Sequence, residues 1–184
     1  TDSQYIVDVA KEIYSNKLNY YIRPPHLGSS KAKLDDFVYD FMLKFPSDIT
    51  IFFNPCCLFL KTKTIDKAIE HFQKNNLDSL CASRVAQTLC FINNEPINFS
   101  FTTGQPRTQD LKPIHCQTCA FFIWNSKTFI NAYEKNSAGN FCGKFESYGL
   151  STLEAIDIDT EEDFLIAESI LARKKDVFNF TYHK

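Results

Sequence analysis

Apolar residues first recur at helical spacing, with Ile6, Val9, Ala10 and Ile13 on one face behind Thr1-Asp2-Ser3, residue types suited to capping a helix N-terminus. The pattern breaks at Arg23-Pro24-Pro25, because a residue before proline is driven out of the helical region. It resumes from about Leu34, with Phe37, Val38, Phe41 and Met42 at core spacing. Ile49-Thr50-Ile51-Phe52-Phe53 is nearly continuous and rich in β-branched residues, which predicts a short strand covered on both faces and closed by Asn54-Pro55. Thr64 is placed to cap a third helix carrying Ile65, Ala68, Ile69 and Phe72, and Asn75-Asn76 ends it ahead of a strand at residues 78–83.

From Cys90 to Phe101 short β segments flank Asn93-Asn94, the pattern of a hairpin. Residues 119–124 read as another buried strand, followed by a helix from Ser126 to about Tyr133. Glu154 to Ile158 is expected as the last strand, after which Thr160 caps a final helix with Phe164, Ala167, Ile170 and Leu171 inward. Strands alternating with helices predict an α/β fold, a three-layer α/β/α sandwich with a mostly parallel sheet. Residues 1–184 form one domain, with residues 90–112 as an insertion. In such sheets ligands bind beyond the carboxyl ends of the strands, so the loops after Phe53, Ser83, Trp124 and Ile156 are where chemistry is sought.

Composition narrows the classes of partner. Charged residues are 23% of the chain and the formal net charge is -2, which gives no basic surplus for nucleic acid or an anionic membrane. Seven cysteines, an odd number set mostly in apolar runs, read as reduced thiols of a cytoplasmic protein. No apolar run approaches the ~20 residues that span a bilayer.

Asp157 and Asp159 are the candidates for chemistry that stand out. Two aspartates two apart at a strand end point the same way, so both carboxylates reach one hard cation such as magnesium at the strand's C-terminal edge. The alternative is that the acidic run through Asp163 only complements the dipole of the helix that follows. Cys116-Gln117-Thr118-Cys119 is a CxxC entering an apolar strand, where residues three apart face opposite sides. Neither a zinc cage nor a redox pair is expected of it. His71 is expected on a polar helix face, His26 in a loop and His183 in a tail.

Asp157-Ile158-Asp159-Thr160-Glu161-Glu162-Asp163-Phe164, with Ala167-Glu168 after it, resembles the closing motif of the acylneuraminate cytidylyltransferases, the CMP-N-acetylneuraminic acid synthetase family. Arg107-Thr108-Gln109-Asp110-Leu111-Lys112-Pro113 leading into Ala120-Phe121-Phe122-Ile123 is similar to that family's Arg-x-Gln-Asp-Leu-x-Pro segment. Arg23-Pro24 with Leu27 and Asp35-Asp36, and Phe52-Phe53-Asn54-Pro55 ahead of Thr64 to Ala68, keep the same order. The resemblance implies a Rossmann-like fold of the nucleotide-diphospho-sugar transferase type, CTP and a nonulosonic sugar acid as substrates, magnesium as cofactor, and a homodimer joined by residues 90–112. It places the metal on Asp157 and Asp159, Arg23 near the cytidine, and Asn54, Arg107 and Gln109 toward the sugar acid.

Departures from the pattern are equally visible. The family's Ala-Arg-x-x-Ser-Lys loop would precede Thr1, so a chain starting there is expected to be a fragment that does not activate the nucleotide by itself. Asn54-Pro55-Cys56-Cys57 stands in place of Gln-Pro-Thr-Ser, Thr118-Cys119 in place of Asn-Gly, and residues 84–91 carry no sugar-binding lysine. The alternatives to the cytidylyltransferase reading are an inactive homologue or scaffold subunit, and a related nucleotidyltransferase with a different sugar.

Overall fold

The computed structural model of the protein describes residues 1–14 and 18–173; His183 lies outside the described residues. In chain order the elements are α1 (Gln4–Tyr14), α2 (Leu34–Lys44), β1 (Ile49–Phe53), α3 (Thr62–Lys74), β2 (Ser79–Ala86), β3 (Phe91–Ile92), β4 (Glu95–Pro96), β5 (Ile114–Asn125), α4 (Ser126–Asn136), β6 (Phe145–Leu150) and α5 (Glu161–Arg173). Among the described residues four strands form one sheet in the order β1-β5-β2-β6, and β3 pairs antiparallel with β4. The expected α/β architecture is present.

The sheet is mixed. β2 and β6 run parallel, with Ser79 opposite Phe145 and Arg84 opposite Leu150. β5 runs against β1: the Asn54 N–H donates to the Ala120 carbonyl, while at the other end the Ser126 N–H donates to the Asp48 carbonyl. Asn54 immediately follows β1, so residues 114–119 of β5 continue past the carboxyl end of that strand. This edge is where an open α/β sheet receives its ligands.

The chain forms two compact units, one of Thr1–Thr50 with Trp124–Gly143, the other of Ile51–Ile123 with Lys144–Lys184. The first packs Val7, Leu27, Val38 and Met42 with Trp124 and Phe129, whose rings meet edge-on at 5.2 Å. Each large aromatic removes roughly 150–250 Å² from water, about 4–6 kcal/mol at ~25 cal/mol/Å² as an upper bound. Asp35 braces this unit, its carboxylate accepting the N–H groups of Gly139 and Asn140 at 2.6 and 2.9 Å and the Asn140 side chain at 2.8 Å. The second unit buries Leu80, Cys81 and Ala82 of β2, Ala120 to Ile123 of β5, Ala68 and Phe72 of α3, and Phe59.

Several local expectations are met. Asn93 and Asn94 both take positive φ, 49° and 68°, the backbone twist that lets a two-residue turn close the β3–β4 hairpin. Thr160 caps α5: its Oγ1 accepts the Asp163 N–H at 3.2 Å and the Asp163 carboxylate accepts the Thr160 N–H at 2.9 Å.

Others need correction. In α1 the buried residue is Val7, while Ile6 and Ile13 are 54% and 66% exposed, so the expected apolar face is not the packed one. α3 begins at Thr62 with Lys61 at its N-cap, and Thr64 sits in the first turn with its hydroxyl turned to Glu154. In α5 only Ala167 is fully buried; Ile170 is half-buried, whereas Phe164 and Leu171 are exposed. The last strand is β6, not residues 154–158. Pairing with the buried β2 takes Phe145–Leu150, and the chain then turns on bonds from Ala155 N–H to the Ser151 carbonyl and Ile156 N–H to the Leu153 carbonyl.

Candidate active site

The turn at residues 151–156 is pinned by Glu154. Its carboxylate is buried and accepts hydrogen bonds from the Thr64 hydroxyl at 2.5 Å, the Ser151 hydroxyl at 2.7 Å and the Lys61 N–H at 3.3 Å. Burial opposes its ionisation, yet these three donors together hold its pKa below the ordinary carboxylate value. A charge at the N-terminus of α3 also complements that helix's dipole. Glu154 thereby ties the segment carrying the two aspartates to the start of α3.

Beyond the turn, Asp157 and Asp159 lie in a segment that is neither helix nor strand, whose Ile158 N–H donates to the Cys56 carbonyl at 3.3 Å. Asp157 meets Asn54, whose Nδ2 donates toward Oδ1 and Oδ2 at 3.4 and 3.5 Å. The same amide accepts the Cys56 N–H through Oδ1 at 3.2 Å, so Asn54 shapes the loop after β1 as well as facing the carboxylate.

Two thiols complete the arrangement. The buried Cys57 is pushed up to about 12, first by burial, then by the charge of Asp157 and a hydrogen bond to it. Cys119, exposed on β5, is also raised, by burial first and then by both Asp157 and Asp159. Both carboxylates thus act on one β5 residue beside Ala120, which pairs with Asn54. Asp157 and Asn54 are brought together just past the carboxyl end of β1.

The remaining expected residues stand elsewhere. Arg23 belongs to the first unit, where its guanidinium lies 4.8 Å from the centre of the Phe37 ring and pairs with Asp2 at 3.1 Å. Arg107 is exposed and engaged with Asp110 of its own turn, at 2.7 and 3.2 Å. Gln109 is exposed and its carbonyl accepts from the Gln87 side chain at 2.9 Å. The structure does not bring Arg107 or Gln109 into contact with the aspartates through any hydrogen bond among the described residues.

Sequence reasoning missed four contributors to this face. Glu154 looked like part of a strand, and Cys57 and Cys119 looked like packing thiols. His115 was noticed only as a neighbour of the CxxC, yet its Nδ1 lies 3.0 Å from Ser83 Oγ and 2.9 Å from Ser147 Oγ, across β5, β2 and β6. The alternation in the first half of β5, where His115, Gln117 and Cys119 are exposed, is the signal that could have found it. Cys116 and Cys119 differ in exposure as their opposite faces require, and all seven cysteines are free.

Among the described residues no group of three or more His, Cys, Asp or Glu side chains is arranged to hold a metal ion. Magnesium keeps several waters and is held by one or two carboxylates together with substrate phosphates, which the Asp157 and Asp159 pair fits. Among the described residues no helix is long and apolar enough to cross a membrane.

No protein-family model matches the chain, and no curated protein matches it. Solved structures do share its fold. The 4-diphosphocytidyl-2C-methyl-D-erythritol synthase of Anaerococcus prevotii DSM 20548 superposes with a TM-score of 0.66 at 15% identity, over 94% of this chain and 78% of that one. The bifunctional IspDF of Campylobacter jejuni gives a TM-score of 0.57 at 11% identity, over 86% of this chain and 39% of its own. At these identities the likeness shows a common Rossmann-like fold.

Proposed function

We propose that the protein is a magnesium-dependent cytidylyltransferase that transfers CMP from CTP to a nonulosonic sugar acid and releases pyrophosphate. The observation that carries this reading is the meeting of Asp157 with Asn54 at the carboxyl end of β1, where the charges of both Asp157 and Asp159 act on the Cys119 thiol. Two carboxylates at that edge suit a cation that accompanies a triphosphate. The fold shared with a diphosphocytidyl-sugar-alcohol synthase supports the choice of nucleotide chemistry, and the motif order along the chain supports the sugar acid.

In the transfer, the acceptor's hydroxyl oxygen bonds to the α-phosphorus, the bond from that phosphorus to the bridging oxygen breaks, and pyrophosphate leaves while the hydroxyl proton passes to solvent. Magnesium, when bound, supplies charge neutralisation of the phosphates. Asp157 and Asp159 would hold it. Asn54 orients Asp157, and Glu154 fixes the segment, so little reorganisation is left to the moment of reaction. Arg23 is assigned to the cytidine side, and Arg107 and Gln109 to the sugar acid, where a guanidinium pairs with a carboxylate through two hydrogen bonds. That role requires Arg107 to exchange Asp110 for substrate.

We assign the protein to the cytoplasm as a homodimer, joined by residues 90–112, whose Phe91, Ile92, Ile97 and Phe101 are exposed apolar side chains. A second reading, with a short polyol phosphate as acceptor, is favoured by the erythritol named for the Anaerococcus protein. The deciding experiment measures pyrophosphate release from CTP by the full-length gene product with nonulosonic acids and polyol phosphates in parallel. Release with the sugar acids supports the first reading, and release with polyol phosphates alone supports the second.

A further inference from the structure

We propose that the first unit holds a binding site for a small aromatic zwitterion, of the class of the aromatic α-amino acids, in the cavity between residues 26–32 and α2. The cavity measures about 430 Å³, within the range of small-molecule sites. Its walls include His26 and Lys31 of the loop, Asp36, Tyr39 and Asp40 of α2, and Tyr133 of α4, all of them in the first unit. None of these residues is assigned to nucleotide transfer, so the site stands independently of that reading.

The aromatic wall is built before any ligand arrives. Tyr133 lies near-parallel to Phe129, at 6.4 Å and 6°, and to Tyr39, at 4.3 Å and 22°. Both phenols spend their protons within the fold, Tyr133 donating to Asp36 at 2.7 Å and Tyr39 to Glu134 at 3.1 Å. The bond to Asp36 pushes the Tyr133 phenol up to about 12, so that ring stays neutral. Phe129 is fully buried, which leaves the Tyr39 end of the column, on the cavity, for a further planar ring to continue the stack.

Charges around the cavity are kept apart. Asp36 accepts the Lys33 N–H at 2.8 Å and the Tyr133 hydroxyl, and no cation is among its hydrogen-bond partners. Asp40, one helical turn on, is held by Lys44 at 3.0 Å and by the Tyr21 hydroxyl. On the loop side, among the described residues, neither the Lys31 ammonium nor the His26 ring has a hydrogen-bond or ion-pair partner. A carboxylate without a counter-ion and an ammonium without one therefore line the same cavity and do not meet. A ligand that carries both an ammonium and a carboxylate satisfies the two at once. A simple anion would bring like charge toward Asp36, and a simple cation would do the same to Lys31. The ligand's ammonium is thus assigned to Asp36, its carboxylate to Lys31 and its ring to Tyr39.

Titration calorimetry and saturation-transfer NMR on the full-length protein test this with three probes. They are L-tryptophan, tryptamine, which lacks the carboxylate, and indole-3-propionate, which lacks the ammonium. Tryptophan is expected to bind saturably and each truncated probe about tenfold more weakly, the loss of one charge-assisted contact. Lys31→Glu should weaken tryptophan about tenfold or more, leave tryptamine no weaker, and keep the melting temperature, because the Lys31 side chain gives up no partner. Tyr39→Leu should weaken all three probes. Absence of saturable tryptophan binding up to about 10 mM would overturn the proposal. Equal binding of all three probes, or a tryptophan affinity unmoved by Lys31→Glu, would overturn it too. So would CMP binding in this cavity more tightly than tryptophan, which would make it part of a nucleotide site.

Discussion

Asn54 and Asp157 are separated by 103 residues, yet the amide of one donates to the carboxylate of the other at 3.4 Å. The contact joins the end of the half-buried edge strand β1 to a segment fixed by its own turn, so two elements settled for reasons of packing deliver one polar pair to the carboxyl end of that strand. If this pair and Asp159 hold the cation, Asp157→Asn or Asp159→Ala should lower kcat on the order of 10²–10³-fold with little change in thermal stability. Steady-state kinetics beside a melting curve check this. Near-normal turnover at saturating magnesium would remove both aspartates from the mechanism.

The convergence of the two carboxylates can also be tested without any turnover. Both raise the Cys119 thiol, though less than burial does, so this exposed cysteine should react sluggishly with iodoacetamide at mildly alkaline pH. Asp157→Asn and Asp159→Asn should each quicken the modification severalfold, read by peptide mass spectrometry. An unchanged rate in either variant would mean that the corresponding carboxylate does not face β5.

Glu154 links stability to pH. Its folded pKa is depressed, so its contribution is complete above the ordinary unfolded value of about 4.3 and drains away as pH falls through the lower folded value. Denaturant midpoints should therefore decline on acidification below about pH 5, and this part of the decline should be absent in Glu154→Gln. Glu154→Ala strands the Thr64, Ser151 and Lys61 donors and should cost about 2 kcal/mol at neutral pH.

The hairpin insertion carries three rings in mutual contact, Phe91 to Phe99 at 5.1 Å, Phe99 to Phe101 at 5.7 Å and Phe91 to Phe101 at 6.2 Å. Phe91 and Ile92 nevertheless remain more than half exposed. A two-stranded ribbon with that surface needs a cover. Light scattering at micromolar concentration should give a dimer, and Ile92→Asp should give a monomer with the fold intact. A wild-type monomer would refute the assignment.

Local chemistry was the legible part of the sequence. Asn93-Asn94 announced its turn, Thr160 and Asp163 their cap, and Ile49–Phe53 its strand, because each is decided by neighbours in the chain. The face of α1 was not legible, since Ile6, Val7, Val9 and Ile13 offer two competing apolar faces and packing within the unit chose Val7. Residues 154–158 look like a strand, but Phe145–Leu150 had the better parallel partner in β2 and left Glu154 to a turn. Of the candidate site, Asp157, Asp159 and Asn54 could be proposed from the sequence; the grip of Glu154 on Thr64, 90 residues away, and of His115 on two serines, each 32 residues away, could not. Such contacts are made by topology and leave no trace in local spacing.

The account stands most directly on one assay: pyrophosphate released from CTP by the full-length protein with magnesium and N-acetylneuraminic acid, compared with the same protein carrying Asp157→Asn. We expect release that requires the acid, the metal and an intact Asp157. Release that persists at wild-type rate in the variant, or none from the wild-type protein with any nonulosonic acid or polyol phosphate, would contradict it.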